Sequence, residues 1–396
     1  MKTFLHPLQN LAEMEAIYTK AKSNRGILEI SGCMESQKAH LIYGLSGLFT
    51  SHLILAEDEK AAKELYEDYR FYDKNVYYYP AKDLLFFQAD IHGNLLLRQR
   101  MRVIKALLEQ KENITVVTSI DGCMDYLQPL DKIEKQLIHF RNDSTLDMDK
   151  LKDALVHMGY ERVGQVEMPG QFSVRGGIVD IYSLTEENPW RIELWGDEID
   201  SIRTFDSQSQ RSLENLDEIM IYPATEQPAE KGGVSFLDYF AEKNSLVFLD
   251  EPNRLEENAR AVEEEFRQSC ENRQQKGEEN ISQNWMCRWE DLNHKLNNRN
   301  CISVSLMEPK RADWKITEQF NLTVKSMSSY QSSFELLVKD LRQYKKQGYQ
   351  IVLLSGSRTR AERLAKDLQD EGLSAFYGQD FDLSLIHISE PTRRSY

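Results

Sequence analysis

The most regular hydrophobic pattern in the chain lies in residues 168–226, where apolar and polar side chains alternate over short runs. Alternation with a period of two predicts β-strands with one buried face. Turn-forming clusters at residues 176–177, 186–189 and 196–198 separate the runs. Because short turns of this kind join neighbouring antiparallel strands, the segment predicts an antiparallel meander.

The run from Trp190 to Trp195 carries charge on one of its two predicted faces. Its first, third and fifth residues are apolar and share the core side, whereas Arg191, Glu193 and Trp195 share the other side. Arg175 occupies the corresponding polar register of its own strand. One interpretation is an exposed face that binds a protein partner, because arginine and tryptophan dominate such contacts. The alternative is a solvated face on which Glu193 pairs with one arginine and Trp195 covers a neighbouring domain.

Apolar β-branched runs alternate with helical patterns on both sides of the meander, which predicts an α/β domain with a parallel sheet. An amphipathic helix over residues 148–160 leads into the meander, which we interpret as an inserted antiparallel β-rich α+β domain. A helix–strand–helix pattern over residues 334–371 predicts the start of a further small α/β domain. The predicted domains are residues 1–143 and 225–325 for the two parts of the parallel-sheet domain, 144–224 for the insertion, and 326–382 for the partial small domain.

The loop after the first predicted strand lies where a phosphate-binding loop would be. Of the glycines, lysine and hydroxyl residue that such a loop needs, only Gly32 and Lys38 are present. A later apolar strand ends in Asp250 and Glu251, the acidic pair that holds Mg²⁺ and polarises water in nucleotide hydrolases. We interpret these four residues as a vestigial nucleotide site, with Asp250-Glu251 as a strand end and helix cap. The alternative is a working nucleotide-dependent DNA enzyme.

Charge and composition narrow the functional classes. The formal net charge of −15 argues against DNA binding through general electrostatics, because affinity for phosphate comes from concentrated Lys and Arg. The dense basic cluster at Arg98, Arg100 and Arg102 is interpreted as a solvated helix face or as paired with acidic neighbours, with a phosphate contact as the alternative. Residues 255–279 predict a long, charged, solvated helix.

The cysteine and histidine patterns predict neither disulfides nor a metal site. The five cysteines are odd in number and form no CxxC pair, which is typical of a reduced cytosolic chain. The eight histidines lack metal-ligand spacing. No apolar run approaches the length of a membrane span, so we expect a cytoplasmic protein without membrane contact.

The string GQFSVRGGIVDIY, followed by RIELWGDEIDSIRTFD and QRSL, resembles the UvrB-like domain of the bacterial transcription-repair coupling factors and, more distantly, that of the excision-repair helicase UvrB. The resemblance implies a degenerate helicase-like (UvrB-like) parallel-sheet domain that has lost its nucleotide site. It also implies that the inserted domain binds the damage-recognition ATPase UvrA. In this family the two arginines and the aromatic residue of these strings carry the contact, and they fall on Arg175, Arg191 and Trp195.

The resemblance implies further properties for a full-length protein of the family. Such a protein uses ATP and Mg²⁺ to move along DNA and displace stalled RNA polymerase at lesions, and it recruits excision repair. We expect contacts with RNA polymerase and DNA to need domains that are missing from this chain, and we expect the chain itself to have neither cofactor nor catalytic residues. The last residues, LSLIHISEPTRRSY at 383–396, do not continue the strand and helix pattern and are interpreted as a non-native tail.

Overall fold

The structure, a computed structural model, divides the chain into two compact units, residues 6–323 and residues 324–396 with 1–5. Within them it describes residues 5, 8–9, 11–23, 25–82, 93–109, 113–226, 232–275, 286–308, 314–325, 327, 330, 333–355, 357–378 and 384–388.

Helices and strands alternate through both units. The described helices are α1 Met14–Ser23, α2 Glu35–Ser46, α3 Glu59–Tyr69, α4 Gly93–Leu108, α5 Ile120–Met124, α6 Leu130–Glu134, α7 Met148–His157, α8 Pro252–Gln275, α9 Trp289–Leu296, α10 Phe334–Lys346 and α11 Arg358–Asp370, with a 3₁₀ helix at Phe236–Tyr239. The described strands are β1 Gly26–Ser31, β2 Ser51–Ala56, β3 Val76–Tyr79, β4 Ile114–Ser119, β5 Tyr126–Leu127, β6 Ile138–Arg141, β7 Glu161–Arg162, β8 Gln171–Arg175, β9 Ile178–Ile181, β10 Trp190–Trp195, β11 Glu198–Phe205, β12 Ser212–Leu216, β13 Glu218–Ile221, β14 Val234–Ser235, β15 Ser245–Asp250, β16 Asn300–Val304, β17 Ile316–Asn321, β18 Ile351–Ser355, β19 Ala375–Gly378 and β20 Ser384–Ile388.

A seven-stranded parallel sheet forms the centre of the larger unit, in the order β17-β1-β16-β15-β2-β4-β3. Every residue of β1, β4 and β15 is buried, as expected for parallel strands covered on both faces. The chain leaves this sheet after β4 and returns to it at β15. The predicted parallel-sheet α/β fold with an insertion is therefore confirmed, with β17 as an additional edge strand.

The insertion contains a six-stranded sheet in the order β12-β11-β10-β9-β8-β7, antiparallel except for the β7–β8 pair. A separate ribbon pairs β6 with β13. Trp190 and Ile192 are buried on the inner face of the sheet, and helix α7 adds buried Leu151 and Leu155 to the same core. The predicted antiparallel meander and its inner face are confirmed.

The junction between the insertion and the parallel-sheet domain contains a buried charge cluster. Arg100 is fully buried; its Nε lies 2.6 Å from Oε1 and its Nη2 3.0 Å from Oε2 of Glu226, where the insertion ends. Its Nη1 donates to the Pro80 carbonyl at 2.6 Å, and its guanidinium lies 4.1 Å from the ring centre of Tyr79. The basic cluster of α4 is thus not a solvated face at this position. Pairing with acidic neighbours, one of the two expected arrangements, is what Arg100 has.

Helix α8 differs from the sequence interpretation as a solvated arm. Leu255, Ala259, Phe266 and Cys270 are buried along one side of it, at spacings of four, seven and four residues. Exposed ion pairs lie on other sides of the helix, among them Arg260–Glu256 and Arg267 with Glu264 and Glu271. The high charge of the helix concealed a narrow apolar stripe, which is sufficient for packing on a core.

The smaller unit packs α10 and α11 around a three-stranded antiparallel sheet in the order β18-β20-β19. Its core consists of small and aliphatic side chains, including Val338, Leu341, Ala365 and Leu368. Strand β20 lies within residues 383–396, which the sequence analysis interpreted as a non-native tail and where it expected no regular element. None of the described helices in either unit is long and apolar enough to cross a membrane.

Candidate functional site

The outer face of the six-stranded sheet is the strongest candidate for a functional site. We define this outer face by Arg175, Asp180, Arg191, Glu193, Trp195 and Arg203. Directly paired residues of antiparallel strands point to the same side of a sheet. Asp180 pairs with Arg191, and Arg191 with Arg203, so the three side chains form one row.

Two tight hairpins bring Arg175 and Trp195 to the same end of this face. Arg175 pairs with Ile178 across a two-residue turn, and Trp195 pairs with Glu198 across another. The first turn residue has a positive φ in both hairpins, 60° at Gly176 and 63° at Gly196, which glycine adopts without strain. The hairpins β8–β9 and β10–β11 therefore lie side by side at the same end of the sheet.

Asp180 joins the two predicted arginines. Its Oδ1 accepts from Arg191 Nε at 2.7 Å, and its Oδ2 accepts from Arg191 Nη2 at 2.8 Å and from Arg175 Nη2 at 2.7 Å. The hydrogen bonds to Asp180 raise the pKa of Arg191 above its ordinary value. The solvated-face interpretation paired one of these arginines with Glu193. In the structure both arginines bond to Asp180 instead.

The Arg191 guanidinium has two further contacts besides Asp180. Its Nη2 also donates to Gln210 Oε1 at 2.9 Å, and its guanidinium lies 4.3 Å from the ring centre of buried Phe205. Only 13% of the Arg191 side chain is exposed, against 47% for Arg175. The two arginines thus differ: Arg191 is fixed in the sheet, whereas Arg175 extends into solvent, and within the described ranges its one side-chain hydrogen bond is to Asp180.

Glu193 forms a second ion pair on the same face. Its carboxylate accepts from both terminal nitrogens of Arg203, with Nη1 3.0 Å from Oε2, and Ser201 Oγ donates to Oε2 at 3.3 Å. This pair neutralises itself. The cluster around Asp180 does not, because two guanidinium groups share one carboxylate.

Trp195 is 83% exposed, the highest value among the large hydrophobic residues that the structure describes as exposed. Strand alternation places it beyond Glu193 on the outer face, and the register shift next to Glu193 inserts its extra residue in β11, so the alternation of β10 continues to Trp195. A tryptophan this exposed contributes little to the core and offers a large area to a partner.

The predicted nucleotide-site residues also converge, but around an ion cluster. Lys38 is buried, and its Nζ lies 2.7 Å from Glu35 Oε1, 2.6 Å from Asp250 Oδ1 and 2.9 Å from Glu251 Oε1. Burial opposes the charged ammonium, yet these carboxylates raise the pKa of Lys38 above its ordinary value. Burial raises the pKa of Asp250 to about 6 although Lys38 opposes the rise. All three N–H donors of Lys38 are therefore used inside the protein.

The loop before Lys38 is closed by other parts of the chain. A Cβ atom on Gly32, whose φ is 79°, would lie 2.0 Å from the Leu322 carbonyl oxygen. The Cys33 amide donates to the Ser305 carbonyl at 3.0 Å, so it does not point at a ligand. Position 39, which follows Lys38, is alanine and offers no hydroxyl to a metal. These residues do not fit a magnesium–nucleotide complex.

The predicted role of Asp250 and Glu251 as strand end and helix cap takes a specific form. Asp250 ends β15, and the Glu251 carbonyl accepts the first backbone bonds of α8, from Arg254 at 2.9 Å and Leu255 at 3.1 Å. The Glu251 side chain turns away from the helix and accepts from the Leu306 amide at 2.8 Å. Its φ of 50° belongs to the left-handed region, which is uncommon for residues other than glycine.

Sequence reasoning did not identify Asp180, Gln210, Phe205 or Arg203 as parts of the outer face. Once the hairpin at residues 176–177 is recognised, pairing Arg175 with Ile178 places Asp180 two residues further along the same face, which was a usable signal. Gln210 lies in the loop after β11, with a φ of 59°, and no strand pattern predicts its contact. No group of three or more His, Cys, Asp and Glu side chains suited to a metal ion occurs in the described part of the chain.

Comparison with known proteins shows what this chain is similar to. Residues 138–226 match the family described as the UvrB interaction domain. A transcription-repair-coupling factor of Bacillus subtilis (strain 168) is 28% identical over 87% of this chain and 35% of its own length. One from Staphylococcus aureus (strain MRSA252) is 24% identical over 75% of this chain and 30% of its own length, so the chain spans about a third of these curated relatives. The chain is thus similar to the transcription-repair-coupling factors, and its residues 138–226 match the UvrB interaction domain.

Proposed function

We propose that this chain is a docking module that recruits nucleotide excision repair by binding UvrA through the outer face. The contact residues are Arg175, Arg191 and Trp195. The observation that carries the proposal is Trp195, 83% exposed at the same sheet end and on the same face as Arg175. The matched UvrB interaction domain contains all three residues, which supports this assignment.

The residue types suit a hot spot of binding energy. Trp and Arg are enriched at the centre of protein interfaces, where an aromatic anchor enters a pocket and guanidinium donors meet acceptors. Arg175 keeps Nε and Nη1 outside any hydrogen bond seen within the described ranges, and nearly half of its side chain is exposed. A partner can therefore gain hydrogen bonds here without breaking one that the fold uses.

Local charge supports a protein partner rather than DNA. Arg175 and Arg191 exceed Asp180 by one positive charge, within a chain of formal net charge −15. One excess charge can select an acceptor on a partner surface, but it is far below the several phosphate contacts that give proteins their affinity for DNA.

We further propose that full-length proteins of this family hydrolyse ATP, move on DNA and displace stalled RNA polymerase. Domains other than those of this chain would carry these activities. The chain covers 35% of its Bacillus subtilis relative. A UvrB-like nucleotide-dependent DNA helicase subunit remains the alternative from the sequence, but no observation favours it. Lys38 makes its three ion pairs inside the protein, and a phosphate would have to displace at least one of them.

Titration of the full chain with purified UvrA tests the proposal. We expect saturable binding by the parent, and a loss of at least about 2 kcal/mol, or about 30-fold in Kd, for Trp195→Ala and for Arg191→Ala. Arg141→Ala is the matched control, because Arg141 is an exposed, ion-paired arginine of the same domain but lies on the β6–β13 ribbon. Circular dichroism checks the fold of each variant.

Two results would contradict the proposal. A folded parent chain that does not bind UvrA would refute it outright. Equal losses for Arg141→Ala and Arg191→Ala would show that general charge, and not the outer face, controls the affinity.

A further inference from the structure

We infer that Asp180 is the positioning residue of the outer face: it fixes Arg175 and Arg191 in the orientation in which they meet the partner. This inference rests on the proposed function. It assigns to a buried carboxylate a part in recognition that the predicted contact residues alone do not include.

Asp180 cannot meet a partner directly. It is 1% exposed, and both of its oxygens accept hydrogen bonds from the two arginines, three bonds between 2.7 and 2.8 Å. Charge-assisted bonds of this length are the strong class, and the paired bonds to Arg191 also set the plane of its guanidinium. Any effect of Asp180 on binding must therefore pass through the arginines.

The arrangement leaves donors of both arginines outside any hydrogen bond seen among the described residues. Arg191 turns its Nε and Nη2 towards Asp180 and Gln210 and rests on Phe205, so its Nη1 is the edge left for a partner. Arg175 is anchored by Nη2 alone and keeps its other nitrogens for the partner. Without Asp180, Arg175 would lose its only protein bond seen among the described residues and would sample many rotamers. Ordering such a side chain on binding weakens affinity.

Positioning and simple electrostatics predict opposite signs for one substitution. Asp180→Asn removes a negative charge between two arginines, so the cluster gains net positive charge. If the arginines acted only as charges, an acidic partner surface would bind this variant as tightly as the parent or more tightly. If Asp180 acts by orientation, binding weakens despite the added charge.

The test titrates UvrA against the full-chain variants. We expect Asp180→Asn to weaken binding about tenfold, which is about 1.4 kcal/mol. In an Arg175→Ala/Arg191→Ala background the same substitution should change affinity by less than about threefold, because its route of action is gone. In that background it should also raise the unfolding midpoint, because the double variant leaves a buried carboxylate without a partner. In the double-variant background, Asp180→Asn should therefore raise stability and leave affinity nearly unchanged. If Asp180 had only a structural role, stability and affinity would change together.

A measurement on the free protein checks the geometry independently of UvrA. The Arg191 Nε–H proton should give a slowly exchanging NMR signal in the parent, because Asp180 Oδ1 accepts it at 2.7 Å, and exchange should speed up in Asp180→Asn. Asp180→Glu is a second variant that keeps the charge but shifts the carboxylate by one methylene. We expect it to bind about fivefold more weakly, since misplaced donors lose contacts.

The outcomes separate the inference from the proposed function. If the folded parent does not bind UvrA, the proposed function fails and the inference fails with it. If the parent binds and Asp180→Asn binds equally well or better, only the inference fails. Additive losses in the triple variant, or unchanged affinity of Asp180→Glu, would overturn it as well.

Discussion

Replacing Glu226 with glutamine tests how the inserted domain is anchored. Glu226 is buried at the end of the insertion and accepts two hydrogen bonds from fully buried Arg100, with Lys82 as a further ion-pair partner. Burial alone would raise the pKa of Glu226, but Arg100 and Lys82 together lower it from 4.5 to about 2. The ionised carboxylate is therefore much better stabilised in the folded chain than in the unfolded one.

The lowered pKa gives both the magnitude and the sign of the effect. The difference between 4.5 and about 2 corresponds to about 3 kcal/mol, at about 1.4 kcal/mol per pH unit. Because the folded pKa is depressed, this stabilisation is present above pH 4.5 and is lost as the pH falls towards 2. Glu226→Gln should lower the free energy of unfolding by about 3 kcal/mol at pH 7, and the deficit should shrink below pH 4.5.

Asp125 shows that proximity to Arg100 is not sufficient for this effect. Its Oδ2 lies 2.7 Å from Arg100 Nη2 but without hydrogen-bond geometry, and burial raises its pKa despite the guanidinium. A raised folded pKa stabilises the protein at low pH, and this contribution is lost as the pH rises. The charge of Glu226 is itself one cause of the raised pKa of Asp125, so subtracting the variant's pH profile from that of the parent reports Glu226 together with its effect on Asp125.

Urea unfolding followed by tryptophan fluorescence, between pH 3 and pH 7, measures the deficit. The signal reports the larger unit, because all tryptophans fall within residues 6–323, at positions 190, 195, 285, 289 and 314. Glu218→Gln is the control: Glu218 pairs with Arg141 on an exposed ribbon, and such pairs contribute less than about 1 kcal/mol. A Glu226→Gln deficit that is below about 1 kcal/mol, or that does not change between pH 7 and pH 3, would refute the reasoning.

Three other predictions concern the larger unit. Lys38→Met should lower the free energy of unfolding by about 3–5 kcal/mol, because buried Asp250 loses its counter-charge. Adding Asp250→Asn should restore part of this lost stability. Urea unfolding measures both variants, and equal stability of the parent and Lys38→Met would contradict the role given to the ion cluster. Trp195→Ala should change stability by no more than about 0.5 kcal/mol in the same assay, because the side chain is exposed, and a larger loss would return Trp195 to a structural role. Cys33 and Cys301 are buried, and burial raises the pKa of each thiol to about 12, so the native chain at pH 8 should leave both unmodified by a thiol reagent that titrates all five cysteines in urea.

The elements that were predicted correctly have patterns that local physics determines. Strands β1, β4 and β15 are buried on both faces, so their mostly apolar sequences, interrupted in β1 by Glu29, could be recognised without knowledge of their neighbours. In β10 the alternation of Trp190 and Ile192 with Arg191 and Glu193 assigns the two faces by side-chain geometry alone. The hairpin glycines then bring Arg175 and Trp195 to one sheet end.

What the sequence did not reveal depends on contacts between distant residues. Glu226 lies 126 positions from Arg100, and nothing local distinguishes Arg100 from Arg98 or Arg102 on the same helix. Asp180 rather than Glu193 is the partner of Arg191 because the strand register places Asp180 directly opposite Arg191, whereas Glu193 bonds to Arg203. In helix α8 the many charged residues hid an apolar stripe that only packing makes visible.

Two of the charged clusters in the larger unit, around Lys38 and around Asp180, suggest a physical criterion for separating a structural site from a binding site. Lys38 has three donors and meets three carboxylates, so a ligand gains a bond there only by breaking one. Asp180 offers one carboxylate to two arginines that together carry ten N–H donors, so donors and one positive charge are left over after the fold is satisfied. The two clusters also differ in burial. The Lys38 ammonium is enclosed, whereas Arg175 reaches solvent at the sheet end that carries the exposed Trp195. An excess of donors over internal acceptors, at an accessible position, is what makes recognition favourable, and in this chain it favours the inserted sheet rather than the loop at Gly32.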